Sequence, residues 1–94
     1  MVDFEWDEDK EILNIIKHGI AFSRARLAFE DLHRVIVPDA KHSHYEMRWL
    51  CLGMVDGDIM TVRFTYRDEV IRIIGAAHWR KGRKHYEKEQ KNTQ

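Results

Sequence analysis

Only one cysteine, Cys51, occurs in the 94 residues, so no disulfide can close within the chain and a reducing, cytoplasmic home is expected. No apolar run approaches the ~20 residues a helix needs to span a bilayer, and no membrane role is expected. The first eleven residues are acidic and hold no apolar stretch, so no secretory signal is expected. Internal repeats and low-complexity segments are absent, as is any Gly-rich phosphate loop. No Ser, His and Asp stand at a spacing that rises above chance. Metal ligands are scarce: His42-x-His44 pairs two imidazoles, but no Cys or carboxylate stands at useful spacing, so no metal or other cofactor is expected. Net charge is also missing, at zero.

What is present describes a folded globule. Hydrophobic residues make up 44% and ten residues are aromatic, too many for a disordered chain. The length fits one domain over residues 1–94 with a single modest core. The zero net charge hides a gradient. Residues 1–11 carry Asp3, Glu5, Asp7, Glu8, Asp9 and Glu11 against Lys10, a net of −5. Residues 72–91 carry seven cations against Glu87 and Glu89, a net of +5. Such asymmetry points to a polyanion contact at one end, or to charge laid down in blocks on a solvated surface.

The pattern predicts helix, helix, antiparallel meander, helix. Phe4-Glu5-Trp6 reads as a short edge strand, and Asp7 as the N-cap of a helix. That helix carries Ile12, Ile15 and Ile16 at helical spacing and stops at Gly19. A second helix opens near Ser23, buries Leu27, Ala28 and Phe29, and fades near Asp31. From His33 the period changes to two. Val35-Ile36-Val37 is a strand ended by Pro38-Asp39, followed by a polar loop over 39–44. Strands are predicted from Glu46 to Leu52, Ile59 to Arg67 and Val70 to Ala77, with turns at Asp56-Gly57 and Asp68-Glu69. A last helix runs from Arg80 to about Lys91, and the final three residues fray. The class is α+β, with two N-terminal helices on one face of an antiparallel sheet of about four strands and a C-terminal helix.

The turns set a register. It pairs Val55 with Asp58, Leu50 with Arg63, Arg48 with Thr65, Thr65 with Arg72, and Arg63 with Ile74. Arg48, Thr65 and Arg72 then form a row on one face with Arg63 diagonally beside them. The other face carries Met47, Trp49, Cys51, Met60, Val62, Phe64, Tyr66, Ile71 and Ile73 toward the core. Converging arginines repel unless an anion sits among them or carboxylates such as Glu46, Glu69 or Glu87 pair them off.

The segment from His78 to Glu87 is the densest chemistry in the chain. Arg80, Lys81, Arg83 and Lys84, with Arg48 on the sheet, can bind phosphates, and Trp79 and Tyr86 can stack on unpaired bases. His78 and Glu87 can exchange protons. RNA cleavage without a metal needs such a set: a base for the 2′-hydroxyl, cations for the phosphorane and an acid for the leaving oxygen. Equally, the segment can be a basic amphipathic helix that packs Trp79 and Tyr86 into the core. The His42/His44 pair reads as loop histidines, Cys51 as a core residue and His18 as a helix-end residue.

Phe4-Glu5-Trp6-Asp7 with Lys10, Lys17-His18-Gly19-Ile20 with Phe22, and Ala28-Phe29-Glu30-Asp31 recur in order with later motifs. Those are Arg48-Trp49-Leu50-Cys51-Leu52-Gly53, Val62-Arg63-Phe64-Thr65, Arg72-Ile73-Ile74-Gly75-Ala76 and Tyr86-Glu87. In this order and spacing, over residues 4 to about 88, the chain resembles the BrnT-type toxins of bacterial type II toxin–antitoxin systems, relatives of the RelE-like ribonucleases. The resemblance implies a RelE-like fold and a metal-independent endoribonuclease toxin that blocks translation. It implies a BrnA-type antitoxin with a ribbon–helix–helix DNA-binding end, through which alone promoter DNA is reached. It places Arg63 and Arg72 at the RNA phosphate and the helix bearing Tyr86 and Glu87 at the border of the site. One departure stands out: Ala77 occupies a position where many members carry Arg, and His78-Trp79-Arg80-Lys81-Gly82 replaces their helix-opening Thr-x-x-Glu. Either His78 or Arg80 supplies the missing cation, or the chain is a weak or inactive member.

Two function classes therefore stand: a ribonuclease, and a catalytically weak or inactive homologue acting as a protein-binding module. Direct DNA binding ranks below both, because no helix-turn-helix signature or net positive charge supports it. An edge strand leaves pairing between two copies, a homodimer, open.

Overall fold

In a computed structural model, which describes residues 2–92, five strands form one mixed sheet in the order β1-β5-β4-β3-β2. The strands are β1 (Phe4–Trp6), β2 (Val35–Pro38), β3 (Trp49–Val55), β4 (Asp58–Arg67) and β5 (Val70–Ala77). Strands β2 to β5 form the expected antiparallel meander. The first strand adds a fifth and runs parallel to β5, so the sheet is not purely antiparallel. Three α-helices accompany it: α1 (Glu8–His18), α2 (Phe22–Ala25) and α3 (Arg80–Asn92). The second predicted helix is a single α-turn that tightens into a 3-10 turn over Arg26–Glu30. Fraying of the last three residues falls largely outside the described residues, since α3 reaches Asn92.

The local signals act where they were read. The Asp7 carboxylate accepts from the amides of Asp9 and Lys10 at 2.8 and 3.2 Å, which caps α1. Gly19 sits in the left-handed region (φ 69°) and donates to the Ile15 carbonyl at 2.8 Å. Asp56 and Gly57 both have positive φ, and the hairpin pairs Val55 with Asp58 and Leu50 with Arg63 as the turn dictates.

Helices cover both faces, not one. Alternation along β4 sends Met60, Val62 and Phe64 to one side and Thr61 to the other. The first side packs against Phe22, Ala25 and Ala28 to form the main core. The 3-10 turn approaches so closely that a Cβ on Gly53 would lie 2.9 Å from the Ala28 Cα, so only glycine fits there. The second side carries a smaller core of Leu52, Ile59 and Tyr86 beneath α3. Gly82 lets α3 sit directly on the Thr61 and Leu52 side chains. Of the nine side chains expected on the core face, Cys51, Met60, Val62, Phe64, Ile71 and Ile73 are buried and Trp49 is half-buried. Met47, which precedes β3, and Tyr66 near the end of β4 are exposed.

Helix α1 differs from its sequence expectation. Ile12, Ile15 and Ile16 do not enter a core; with Leu13 they are exposed, Ile16 to 74%. The cause is where α1 sits. Strand β1 pairs with β5 only from Ile71 to Ile73, which leaves the β5 edge bare beyond that point. Asn14, the one buried residue of α1, plugs the gap. Its amide donates to the Ala76 and Ile20 carbonyls at 3.0 and 2.9 Å, and its oxygen accepts from the Ala76 amide at 3.1 Å. A helix held edge-on by one polar residue turns its apolar stripe outward.

Candidate functional site

The α3 face of the sheet holds a cavity of about 360 Å³. Arg63 from β4, Asp39 and His42 after β2, Trp79 before α3, and Lys81 and His85 on α3 line it over an apolar floor that includes Leu50 and Leu52. With Lys41, which also lines it, four chain segments thus bring two imidazoles, three cations, one carboxylate and one indole together.

Asp39 organises the cluster. It is buried, yet its Oδ2 accepts from Arg63 Nε at 2.6 Å and from His42 Nδ1 at 3.0 Å, and its Oδ1 lies 3.1 Å from the same Nδ1. Burial pushes this carboxyl up, but the hydrogen bonds from Arg63 and His42 outweigh it and hold it below the usual aspartate range. The loop that delivers Asp39 and His42 is tied at its base. The Asp39 amide donates to the Arg48 carbonyl at 2.9 Å, and Ser43 Oγ donates to the Asp39 carbonyl at 2.7 Å. Ser43 Oγ also accepts from the Arg48 amide at 2.9 Å. A 3-10 turn over Ala40–His42 then presents the imidazole.

Arg63 is fixed twice, by Asp39 and by Trp79, whose ring centroid lies 5.3 Å from its Cζ. The strand arithmetic put Arg63 opposite Ile74, but it faces Gly75. A β-bulge inserts Ile74 on β5 and shifts the register between Arg63 and Phe64. The guanidinium lies beside Gly75, where a Cβ would meet Arg63 Nη1 at 3.9 Å, an ordinary van der Waals contact.

The expected open row of arginines does not form. Thr65 does pair with Arg72, but the β3–β4 ladder ends at Trp49 and Phe64. Thr65 Oγ1 donates to the Met47 carbonyl at 2.7 Å, and Arg48 stands outside the strand, 3.9 Å from Glu46. Arg72 Nη1 donates to Glu5 of the neighbouring β1 at 3.0 Å. Arg63 and Arg72 each pair with a carboxylate, while Arg48 shares Glu46 with Arg67, which approaches it more closely at 3.4 Å; such pairing is the lower-energy answer to like charges on one face.

The other sequence candidates scatter. His78 Nδ1 donates to the Ile59 carbonyl at 2.9 Å and stands 3.4 Å from Asp58. Arg80 and Arg83 share a shallow cleft with that histidine, off the main cavity. Neither His78 nor Arg80 therefore takes up the cationic place beside Arg63; Lys81 is the α3 cation that lines the cavity. Lys84 and Glu87 are exposed on α3. Tyr86 is buried and donates to Asp31 Oδ2 at 2.6 Å, and burial with that carboxylate pushes its phenol up to about 12. Its place is an anchor for α3. Cys51 is buried in the main core, where desolvation pushes its thiol up to about 12.

Sequence reasoning missed Asp39, His42 and His85. His42 and His85 were visible as titratable residues, and Asp39 as a carboxylate beside a strand end; only the fold makes them neighbours. Ala77 lines a small cleft of about 60 Å³ with Asn14, His18, Arg63 and Trp79. Among the described residues, no group of three His, Cys, Asp or Glu side chains could hold a metal ion, and no helix is long and apolar enough to cross a membrane.

The protein is thus a small α+β domain whose sheet and last helix line a cationic, histidine-bearing cavity. The family comparison narrows this. The model of the BrnT ribonuclease toxins of type II toxin–antitoxin systems matches residues 6–82, and the chain belongs to that family. Membership makes it a toxin of the ribonuclease kind with a protein antitoxin as partner. No curated protein matches the chain.

Proposed function

We propose that this protein is a metal-independent endoribonuclease that arrests translation in the bacterial cytoplasm until a BrnA-type antitoxin neutralises it. The antitoxin carries the ribbon–helix–helix end, so promoter DNA is reached only through that partner. The observation that carries this reading is Arg63. It spends Nε on Asp39 and stacks on Trp79, and among the described residues no carboxylate takes its terminal nitrogens. Those nitrogens and Lys81 can stabilise the extra charge on a phosphorane, while Trp79, 40% exposed, offers a face for an unpaired base. Purified protein is expected to cut single-stranded RNA at an undiminished rate in excess EDTA. Its induction in a bacterium lacking the antitoxin is expected to stop growth. Intact RNA and normal growth with folded, soluble protein would reject the reading.

One observation favours the alternative of a weak or inactive homologue that only binds protein: Arg48 and Arg72 are already neutralised by Glu46 and Glu5, and Ala77 supplies no charge beside Arg63. The same RNA assay separates the two.

For the antitoxin, this reading assigns the outward stripe of α1, because a type II toxin has a protein partner to cover apolar surface that a lone monomer seldom exposes. Ile16→Asp, at the most exposed point of the stripe, is expected to weaken antitoxin binding by about tenfold or more while leaving RNA cleavage unchanged. Unchanged binding measured by calorimetry would place the partner elsewhere.

A further inference from the structure

We propose that Asp39 and His42 form a positioning-and-base dyad that takes the proton of a ribose 2′-hydroxyl, with His85 across the cavity as the acid, on a single-stranded RNA substrate. The inference rests on the ribonuclease reading and adds to it residues that neither the family match nor the sequence motifs single out.

The geometry is directional. Nδ1 of His42 faces both oxygens of Asp39 at 3.0 and 3.1 Å, so Nδ1 carries the hydrogen and Nε2 keeps its lone pair. No hydrogen bond among the described residues uses that Nε2, and the ring lines the cavity. Asp39 cannot turn away, because Arg63 holds the same Oδ2 and the loop base is stitched by Ser43. One carboxylate therefore fixes both the arginine that meets the phosphate and the imidazole that meets the 2′-hydroxyl. Their separation is set by a single buried group.

His85 lies one helical turn beyond Lys81 and lines the same cavity. Its Nε2 stands 3.8 Å from Glu89, one turn further along α3. In the step, His42 Nε2 accepts the 2′-hydroxyl proton as the 2′-oxygen bonds to phosphorus. The P–O5′ bond breaks, and the 5′-oxygen leaves with a proton from His85. The products are a 2′,3′-cyclic phosphate and a 5′-hydroxyl. No oxidant, reductant or further reactant enters, and solvent returns both histidines to their starting states.

The test uses two substrates: a single-stranded RNA, and the same RNA with sulfur replacing the 5′-bridging oxygen at the cut, whose thiolate leaves without an acid. His42→Ala is expected to cleave both at least about 100-fold more slowly than wild type. Added imidazole should restore part of that rate. His85→Ala is expected to be slow on RNA and to approach wild type on the sulfur substrate. Asp39→Asn is expected to lower kcat by about tenfold or more while KM stays within about threefold, the mark of misplaced chemistry rather than lost binding. Circular dichroism melts confirm that each variant is folded. Wild type that cleaves while His42→Ala stays within about threefold of it overturns the dyad alone. Recovery of His42→Ala on the sulfur substrate makes it the acid and also overturns the assignment. Wild type inert on both substrates overturns the ribonuclease reading, and the dyad with it.

Discussion

Arg63→Ala is expected to cost the protein both its activity and much of its stability. On the sequence alone the substitution is expected to spare the fold, since Arg63 reads as a surface residue of a polar sheet face. The ion pair changes that. The Arg63 side chain is 18% exposed and that of Asp39 9%, so removing the guanidinium strands a nearly buried carboxylate. Breaking such a pair costs about 3–5 kcal/mol. His42 stays beside Asp39 as a hydrogen-bond donor, which places the loss near the lower end. For a domain of this size that is a fall in Tm on the order of 10–20 °C. Asp39→Asn in the same chain removes the stranded charge, so the double variant should melt above Arg63→Ala. A double variant that melts no higher would show that the charge is not the cause.

The same pair fixes a pH signature. The folded-state pKa of Asp39 is depressed, so its contribution to stability is complete above the ordinary aspartate pKa, about 4, and is lost as pH falls through the lower folded value. In Arg63→Ala one of the bonds that outweighs burial is gone, so protonation costs less in the folded state. The gap in Tm between wild type and variant should therefore narrow as pH drops from 6 toward 3. Parallel melting curves over that range would contradict it. For activity, losing a pre-placed cation at the phosphorane is expected to lower the rate by about 100- to 1,000-fold, read well below the variant's Tm.

The second large effect is expected from Asn14→Ala. The side chain satisfies the Ala76 amide, the Ala76 carbonyl and the Ile20 carbonyl, all buried. At about 1 kcal/mol or more for each stranded group, the loss is roughly 3 kcal/mol. Hydrogen exchange should show where it falls: the Ala76 amide loses protection, while the Cys51 and Val62 amides in the centre of the sheet keep theirs. A loss below about 1 kcal/mol with an unchanged Ala76 amide would mean that β5 needs no such plug.

These residues also mark the limit of what a linear reading can deliver. Turn chemistry is local, so Asp56-Gly57 dictated the β3–β4 register, and Asp7 and Gly19 marked both ends of α1. The bulge at Ile74 was invisible, because nothing in a strand-like run of Val, Ile and Arg says that one residue will be skipped. The burial of α1 was misread for a related reason. Periodicity reports that a helix has an apolar side, and not whether the protein supplies something to cover it. Of the candidate site, Arg63 was legible from its place in β4, and so was the basic segment that supplies Lys81 and Trp79. Asp39 and His42 read as loop residues. A carboxylate 24 positions before its arginine gains its meaning only when β2, β3 and β4 are laid side by side.

The parallel pairing of β1 with β5 has a consequence for the order of events during synthesis. Phe4, Glu5 and Trp6 wait for Ile71, Arg72 and Ile73, contacts some 67 positions apart. Contacts of such long sequence separation close late, after the cost of ordering the intervening chain has been met. The cavity likewise draws on distant segments, from Val37 to His85. A nascent chain that has not released its last helix therefore lacks the Lys81 and His85 wall of the cavity. On the ribonuclease reading proposed above, the toxin would stay inert until its synthesis is nearly complete, and the ribosome that makes it would not meet a half-built site.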